Sequence, residues 1–263
     1  MPSYSAQGLV LKKTKLSESD LIVTLLSADG LQIRAVAKGA RKPGAQMASR
    51  LELCSVVDLL LHKGRSLDVV SEARLVEPNT ASRAMPERMA AAEALCEFLE
   101  VVTRDSDPEP RLYPMACEAL RCIGAVPTEG LELVLAAAFF KFTGQIGYLL
   151  SLHECALCGA LINGADEEGH YVWSALNGGL MCISCSKGQE SPEGSLSISP
   201  SMLGWLRVCM EARFKDIENS VREKPELASL LGDDVLAFSE EWMHVHLGIH
   251  IKSVRFLRDF LSE

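Results

Sequence analysis

Aromatic side chains are scarce, with 3 Trp, 4 Tyr and 8 Phe in 263 residues, and Tyr4 alone falls within the first 78. A segment so poor in rings cannot stack a row of unpaired bases, which is how many single-strand binders grip their ligand. Long apolar runs are also missing. The longest helical one, around Leu133 to Phe140, is far short of the ~20 residues that cross a bilayer, so no membrane partner is expected. The opening Met1-Pro2-Ser3-Tyr4-Ser5 lacks a basic region followed by an apolar block, and no secretory leader is expected. Neither a Gly-x-x-x-x-Gly-Lys-Ser phosphate loop nor a Gly-x-Gly-x-x-Gly turn is present, and no Ser/His/Asp arrangement stands out. The reading is therefore of a protein that is not an enzyme.

What is present is a globular composition, 48% hydrophobic and 23% charged, consistent with a cytoplasmic protein of two domains. The net charge is −9, which argues at first against a nucleic-acid partner. The charge is unevenly spread. Residues 1–78 carry 11 Lys and Arg against 8 Asp and Glu, a balance of +3. The remainder carries 15 against 27, a balance of −12. Such asymmetry points to one segment that meets a polyanion and another with a different task.

Hydrophobic period divides the chain at the same place. Ala6 to Leu11, Asp20 to Ser27, Leu31 to Ala37, Leu51 to Leu61 and Leu67 to Val76 read as five short strands. Asp29-Gly30 and Lys63-Gly64 supply turns. Five antiparallel strands in so few residues predict a small closed barrel, of which the OB-fold is the commonest five-stranded type. From Ser82 the period becomes helical. Helices are predicted over Pro86 to Arg104, Arg111 to Ile123, Glu129 (capped by Thr128) to about Gly147, Pro200 (capped by Ser199) to about Lys215, Asp233 to His246, and Ser253 to Leu261, with Gly188 to Ser197 as a polar linker. The fold class is α+β: an OB barrel at 1–78 and a helical domain at 79–263, the latter interrupted by a cysteine knuckle at 153–187.

That knuckle holds two Cys-x-x-Cys pairs, Cys155/Cys158 and Cys182/Cys185, each flanked by glycine. Thiolates so spaced can share one ion at ~2.3 Å when the backbone turns tightly between them. The span between the pairs is a little longer than the usual ribbon spacing of about 15–20 residues, and Gly169-His170-Tyr171-Val172-Trp173 reads as a strand within it. One structural Zn²⁺ with four protein ligands, leaving no open position for chemistry, is the expected cofactor. A redox dithiol or a catalytic metal fits the neighbouring residues less well. The other five cysteines, Cys54, Cys96, Cys117, Cys122 and Cys209, sit in apolar patterns and read as buried thiols. His244, His246 and His250 read as surface or interface residues and not as ligands.

The sharpest basic cluster is Lys38-Gly39-Ala40-Arg41-Lys42-Pro43-Gly44, preceded by Arg34 and followed by Arg50. A second is Lys12-Lys13-Thr14-Lys15. Cations on a glycine- and proline-bearing loop can follow a phosphate backbone without a preformed groove, although a plain solvated loop carries the same letters. With so few rings, binding would rest on phosphate charge and leave the bases free to pair. Near the C-terminus, Lys252, Arg255 and Arg258 are three apart and would share a helical face, suited to an acidic peptide. Cations favoured by the dipole of a last helix give the same pattern.

In this order the pieces resemble the RecO family of bacterial DNA repair and recombination mediators. The likeness rests on Gly8-Leu9-Val10-Leu11, Glu18-Ser19-Asp20, Val36-Ala37-Lys38-Gly39-Ala40-Arg41-Lys42, the Cys-x-x-Cys pairs, and Ile251-Lys252-Ser253-Val254-Arg255-Phe256-Leu257. It implies an OB-fold, a helical C-terminal domain and a zinc knuckle that only some members keep. It implies binding of single- and double-stranded DNA, annealing of single strands, work with RecR, contact with the acidic tail of single-stranded DNA-binding protein, and through these the loading of RecA. Lys38, Arg41 and Lys42 match the family's DNA-contacting loop, and the four cysteines its metal ligands. Gly44 to Ser49 lacks further cations where relatives are often richer in arginine. The competing reading is a zinc-stabilised scaffold that binds proteins only.

Overall fold

A computed structural model describes residues 2–104, 106–166, 169–187 and 195–261. The chain groups into two compact units, Met1–Thr128 together with Ile251–Glu263, and Glu129–His250. In the first unit β1 (Ser3–Lys15), β2 (Leu21–Ser27), β3 (Gln32–Ala37), β4 (Val56–His62) and β5 (Asp68–Glu77) close a barrel in the order β1-β2-β3-β5-β4. All pairs are antiparallel except β3 with β5. This is the expected OB barrel. The first strand is longer than predicted because it serves two ladders: residues 3–9 pair with β4 and residues 8–15 with β2. A bulge between Val10 and Lys12 bends it from one to the other. Val10, Val23, Leu25, Leu59 and Leu61 fill the interior.

The fourth strand starts at Val56, not at the predicted Leu51. A short helix α1 (Met47–Arg50) precedes it. Leu51 ends that turn by donating its N–H to Met47 O at 3.1 Å, and its side chain is fully buried in the barrel core, with Met47 and Ala48 packed beside it. Cys54 then takes a left-handed φ of 65°, which no extended strand allows. It is held there by its own N–H to Val10 O, 2.9 Å, and by Asn79 Nδ2 to its carbonyl, 2.7 Å. The apolar letters from 51 to 55 therefore plug the barrel instead of extending it.

Helices α2 (Pro86–Val102) and α3 (Leu112–Ala125) pack in the same unit. Pro86 stands at the first turn of α2, and Arg88 ties the two helices by donating to the carbonyls of Ile123 and, at 2.8 Å, Val126. The last helix, α9 (Val254–Leu261), returns to this unit and lies on α2. The Glu97 carboxylate receives the N–H groups of Lys252 (3.2 Å) and Ser253 (2.8 Å) and the Ser253 hydroxyl (2.6 Å), which anchors the start of α9 to α2.

The second unit is built around α4 (Leu131–Gln145), twelve of whose side chains from Leu131 to Thr143 are buried. It packs against α6 (Pro200–Glu211), α7 (Phe214–Glu223) and α8 (Pro225–Leu247). Thr128 does not cap α4. It opens a 3-10 turn, and Gly130 is the N-cap. Ser199 caps α6 as expected, accepting the Met202 N–H at 3.2 Å. The single helix predicted to Lys215 is two, because Ala212 and Arg213 are extended and buried Phe214 restarts the turn, with Arg213 paired to Asp216 at 2.8 Å. Helix α8 starts at Pro225, eight residues before the predicted Asp233, and ends at Gly248.

Candidate metal centre and nucleic-acid interface

The cysteine segment forms a small three-stranded sheet in the order β7-β6-β8, with β6 (Tyr171–Ser174), β7 (Gly179–Met181) and β8 (Ser195–Ile198), followed after β7 by a short helix α5 (Ile183–Lys187). The predicted strand starts at Tyr171 and not Gly169, since Gly169 and His170 close a turn on Asp166. The predicted linker lies partly outside the described residues, at 188–194. Its end, Ser195 to Ser197, belongs to β8, because Ile198 is buried against the pairing with Tyr171. Trp173 of β6 is fully buried, its ring 4.6 Å from that of Phe238 on α8. The knuckle is thereby docked on the helices of its own unit.

At its tip the four cysteine sulfurs lie within 4.8 Å of one another, and Cys158 and Cys182 are 3.8 Å apart. A tetrahedron of sulfurs around an ion with ~2.3 Å bonds has edges of about 3.8 Å, whereas a disulfide would need ~2.05 Å. Gly159, at φ 71°, lets the first knuckle double back, with Gly159 N–H on Cys155 O at 2.9 Å and Cys155 N–H on Ala160 O at 2.7 Å. Burial pushes the Cys155 thiol up, but N–H groups of Cys182, Cys158 and Leu157 aimed at its sulfur bring it down to about 6. The neighbouring sulfurs push Cys185 up to about 12. This is a group that could hold a metal ion, with one thiolate already favoured by backbone dipoles. Among the described residues it is the one cluster of at least three ligand side chains with such geometry. His244 and His250 stack with ring centroids 4.0 Å apart, and His246 lies on Trp242. The remaining five cysteines are buried as expected, Cys54 and Cys96 with sulfurs 3.6 Å apart.

On the barrel, two loops meet at one end: Leu16 to Asp20 after β1, and Lys38 to Ala45 after β3. The Asp20 carboxylate accepts the Gly39 N–H at 2.7 Å and the Ser19 hydroxyl at 2.9 Å. The Gly39 N–H, then the Ser19 hydroxyl, hold that carboxyl below its ordinary range. Arg41 donates its N–H to Ser19 O at 2.9 Å, and its guanidinium Nη1 to Ser17 O and Glu18 O at 3.0 and 3.1 Å. Glycine at 39 adopts φ 66° and turns the chain so that Lys42 N–H reaches Gly39 O at 3.1 Å.

The candidate cations fare differently in this frame. Lys15, Lys38 and Lys42 are exposed, as is Arg34 on β3 opposite Thr24. Lys12 pairs with Glu100 at 2.9 Å and Lys13 with Glu52 at 2.6 Å. Arg50 is turned inward, donating to Ala73 O at 3.0 Å and Gln46 Oε1 at 2.6 Å. Lys63-Gly64 is the turn expected before β5, and Arg65 beside it, which that expectation leaves out, is exposed. Two cations around a glycine were the available signal. Lys63 pairs with Asp68 at 3.3 Å and lies 4.5 Å from the centre of the Tyr4 ring, whose hydroxyl also binds Asp68. The barrel segment's lone aromatic is thus already occupied. Lys252 lies in the turn before α9 and does not share a helical face with Arg255 and Arg258. Ser253 N–H and hydroxyl, bound to Glu97, start the helix one residue later than predicted.

Fold and site together define a class: an OB barrel joined to a helical segment that carries a four-cysteine knuckle able to hold a metal ion. Comparison with known proteins narrows it. The model for the recombination protein O N terminal matches residues 1–79, and that for the recombination protein O C terminal matches residues 83–255. The DNA repair protein RecO of Frankia casuarinae is 36% identical over 201 residues, 76% of this chain and 78% of its own. The one of Cutibacterium acnes is 33% identical over 215 residues, 80% and 83%. The one of Bifidobacterium adolescentis is 30% identical over 267 residues, 98% and 100%. The chain belongs to the RecO family of DNA repair proteins. No helix among the described residues is long and apolar enough to cross a membrane.

Proposed function

We propose that this protein is a non-enzymatic recombination mediator of the bacterial cytoplasm, which binds single- and double-stranded DNA through the backbone and anneals single strands. With RecR it would help load RecA on strands coated by single-stranded DNA-binding protein. The observation that carries the reading is the end of the OB barrel where Lys15 closes β1 and Lys38 and Lys42 stand exposed on the loop tied to the turn after it. Arg34 and Arg65 are further exposed cations of the barrel. Lys12, Lys13, Arg41 and Arg50 belong to the same basic set but hold local partners, so their share in phosphate contact is smaller. An interface of lysines without rings binds by releasing counterions and leaves base edges free, which is what pairing with a complement requires.

The four cysteines would hold one Zn²⁺, which supplies a fixed crosslink between the knuckle's two turns and no open coordination position. Cys155, Cys158, Cys182 and Cys185 provide all four ligands. The domain division follows the charge, with DNA contact on 1–78 and partner contact on 79–263. The turn and helix bearing Lys252, Arg255 and Arg258, beside exposed Phe256, suit an acidic tail with an apolar anchor.

Annealing of complementary oligonucleotides, with and without added single-stranded DNA-binding protein, tests the reading. Wild type should anneal both bare and coated strands, and Lys38→Glu with Lys42→Glu should lose annealing while keeping its thermal transition. A wild type that fails to bind DNA, or a double variant that anneals normally, sinks the reading in favour of a scaffold.

A further inference from the structure

We infer that Asp20 and Arg41 form a latch that holds the lysine-bearing 38–45 loop on the 16–20 turn beside Lys15, with Arg41 acting as a positioning residue. The inference rests on the DNA-binding reading and assigns roles within that interface.

The 16–20 turn and the 38–45 loop are both short of regular structure, so the exposed Lys38 and Lys42 keep one position only where the second is tied to the first. From one side comes a carboxylate: Asp20 Oδ1 receives the Gly39 N–H at 2.7 Å, in the middle of Lys38-Gly39-Ala40. From the other comes a guanidinium: Arg41 Nη1 bridges the carbonyls of Ser17 and Glu18 at 3.0 and 3.1 Å. The Arg41 N–H to Ser19 O, 2.9 Å, closes the set. The first loop is itself stiffened by Leu16 N–H to Asp20 O and by Asp20 N–H to Ser17 Oγ, both 3.1 Å. The 38–45 loop thus donates every one of these crossing bonds and the 16–20 turn accepts them, and each involves Asp20 or Arg41. Fixing cations in advance saves the ordering cost at binding. Arg41 commits Nη1 to two carbonyls, which fixes its guanidinium against the turn.

The two roles make opposite predictions. Asp20 places a negative charge among phosphate-seeking lysines, so by charge alone its removal should tighten DNA binding. If it latches the loops, removal should weaken binding. The experiment uses the full chain and labelled oligo(dT), with affinity followed across a series of salt concentrations. Asp20→Ala should bind about tenfold more weakly at fixed salt. Asp20→Asn keeps the acceptor for Gly39 and sheds the charge, so it should bind at least as tightly as wild type. Arg41→Ala should weaken binding while leaving the slope of log affinity against log salt unchanged. Lys42→Ala, as a phosphate contact, should lower that slope by about 0.7.

Tighter binding by Asp20→Ala, or a slope loss in Arg41→Ala equal to that of Lys42→Ala, overturns the latch while leaving the DNA-binding reading intact. A wild type that does not bind oligo(dT) removes both. Thermal transitions within the wild-type range guard against misfolded variants, and Asp20→Asn supplies the folded control.

Discussion

A cysteine at 155 sits where three backbone N–H groups converge on its sulfur, so its replacement removes a ligand from the most preorganised corner of the knuckle. Cys155→Ser should lower the metal content from one ion per chain and bring down the unfolding midpoint. DNA affinity, measured well below that midpoint, should stay at the wild-type level, because the lysine loops belong to the other compact unit. A variant of full stability that loses DNA contact would contradict this. At Asp20 the expectation concerns pH. Its carboxyl is held down by the Gly39 N–H first and the Ser19 hydroxyl second. A group depressed by folding contributes stability above its unfolded value of ~3.9, and that contribution is lost only as pH falls through the lower folded value. The Gly39 amide resonance should therefore hold its position from neutral pH to about 4 and shift below that.

At the scale of elements, the plug and the docking strand each rest on one fully buried side chain. Leu51 is fully buried in the barrel core, and Leu51→Ala should cost about 2–5 kcal/mol in denaturant unfolding. Trp173 is fully buried against Phe238, and Trp173→Ala should cost about 3–5 kcal/mol and expose the knuckle to proteolysis. These two residues also mark how far the sequence could be read. Alternation and turn chemistry revealed all five barrel strands, and the paired cysteines announced their own cluster. Leu51 was misplaced because a buried plug and a buried strand look alike as a run of apolar letters. Met47, Ala48 and Leu51 do carry helical spacing, too short to register. The break at Ala212-Arg213 escaped for a related reason: Phe214 keeps the apolar rhythm across two helices. The clamp made by Arg41 was invisible, since a cation's partner carbonyls leave no mark in sequence.

For the whole molecule the uneven charge governs behaviour in solution. With +3 on the first 78 residues and −12 on the rest, a polyanion such as the proposed DNA partner would be attracted to one segment and repelled by the other. Added salt screens both, so binding should weaken with salt more gently than a uniformly basic protein's. With Lys15, Arg34, Lys38, Lys42 and Arg65 exposed, the proposed interface predicts a slope no steeper than about −3.5 for single strands, and a titration that found no salt dependence would contradict the electrostatic account.

The return of α9 to the first unit has a consequence for the order of folding. During synthesis residues 129–250 emerge before the segment that completes the earlier unit. Until Lys252 and Ser253 arrive, the Glu97 carboxylate has no N–H groups to receive, and the site on α2 covered by Val254 and Leu257 stays wet. The barrel unit is begun first and finished last. The ribosome must deliver nearly the whole chain before the barrel unit can lock.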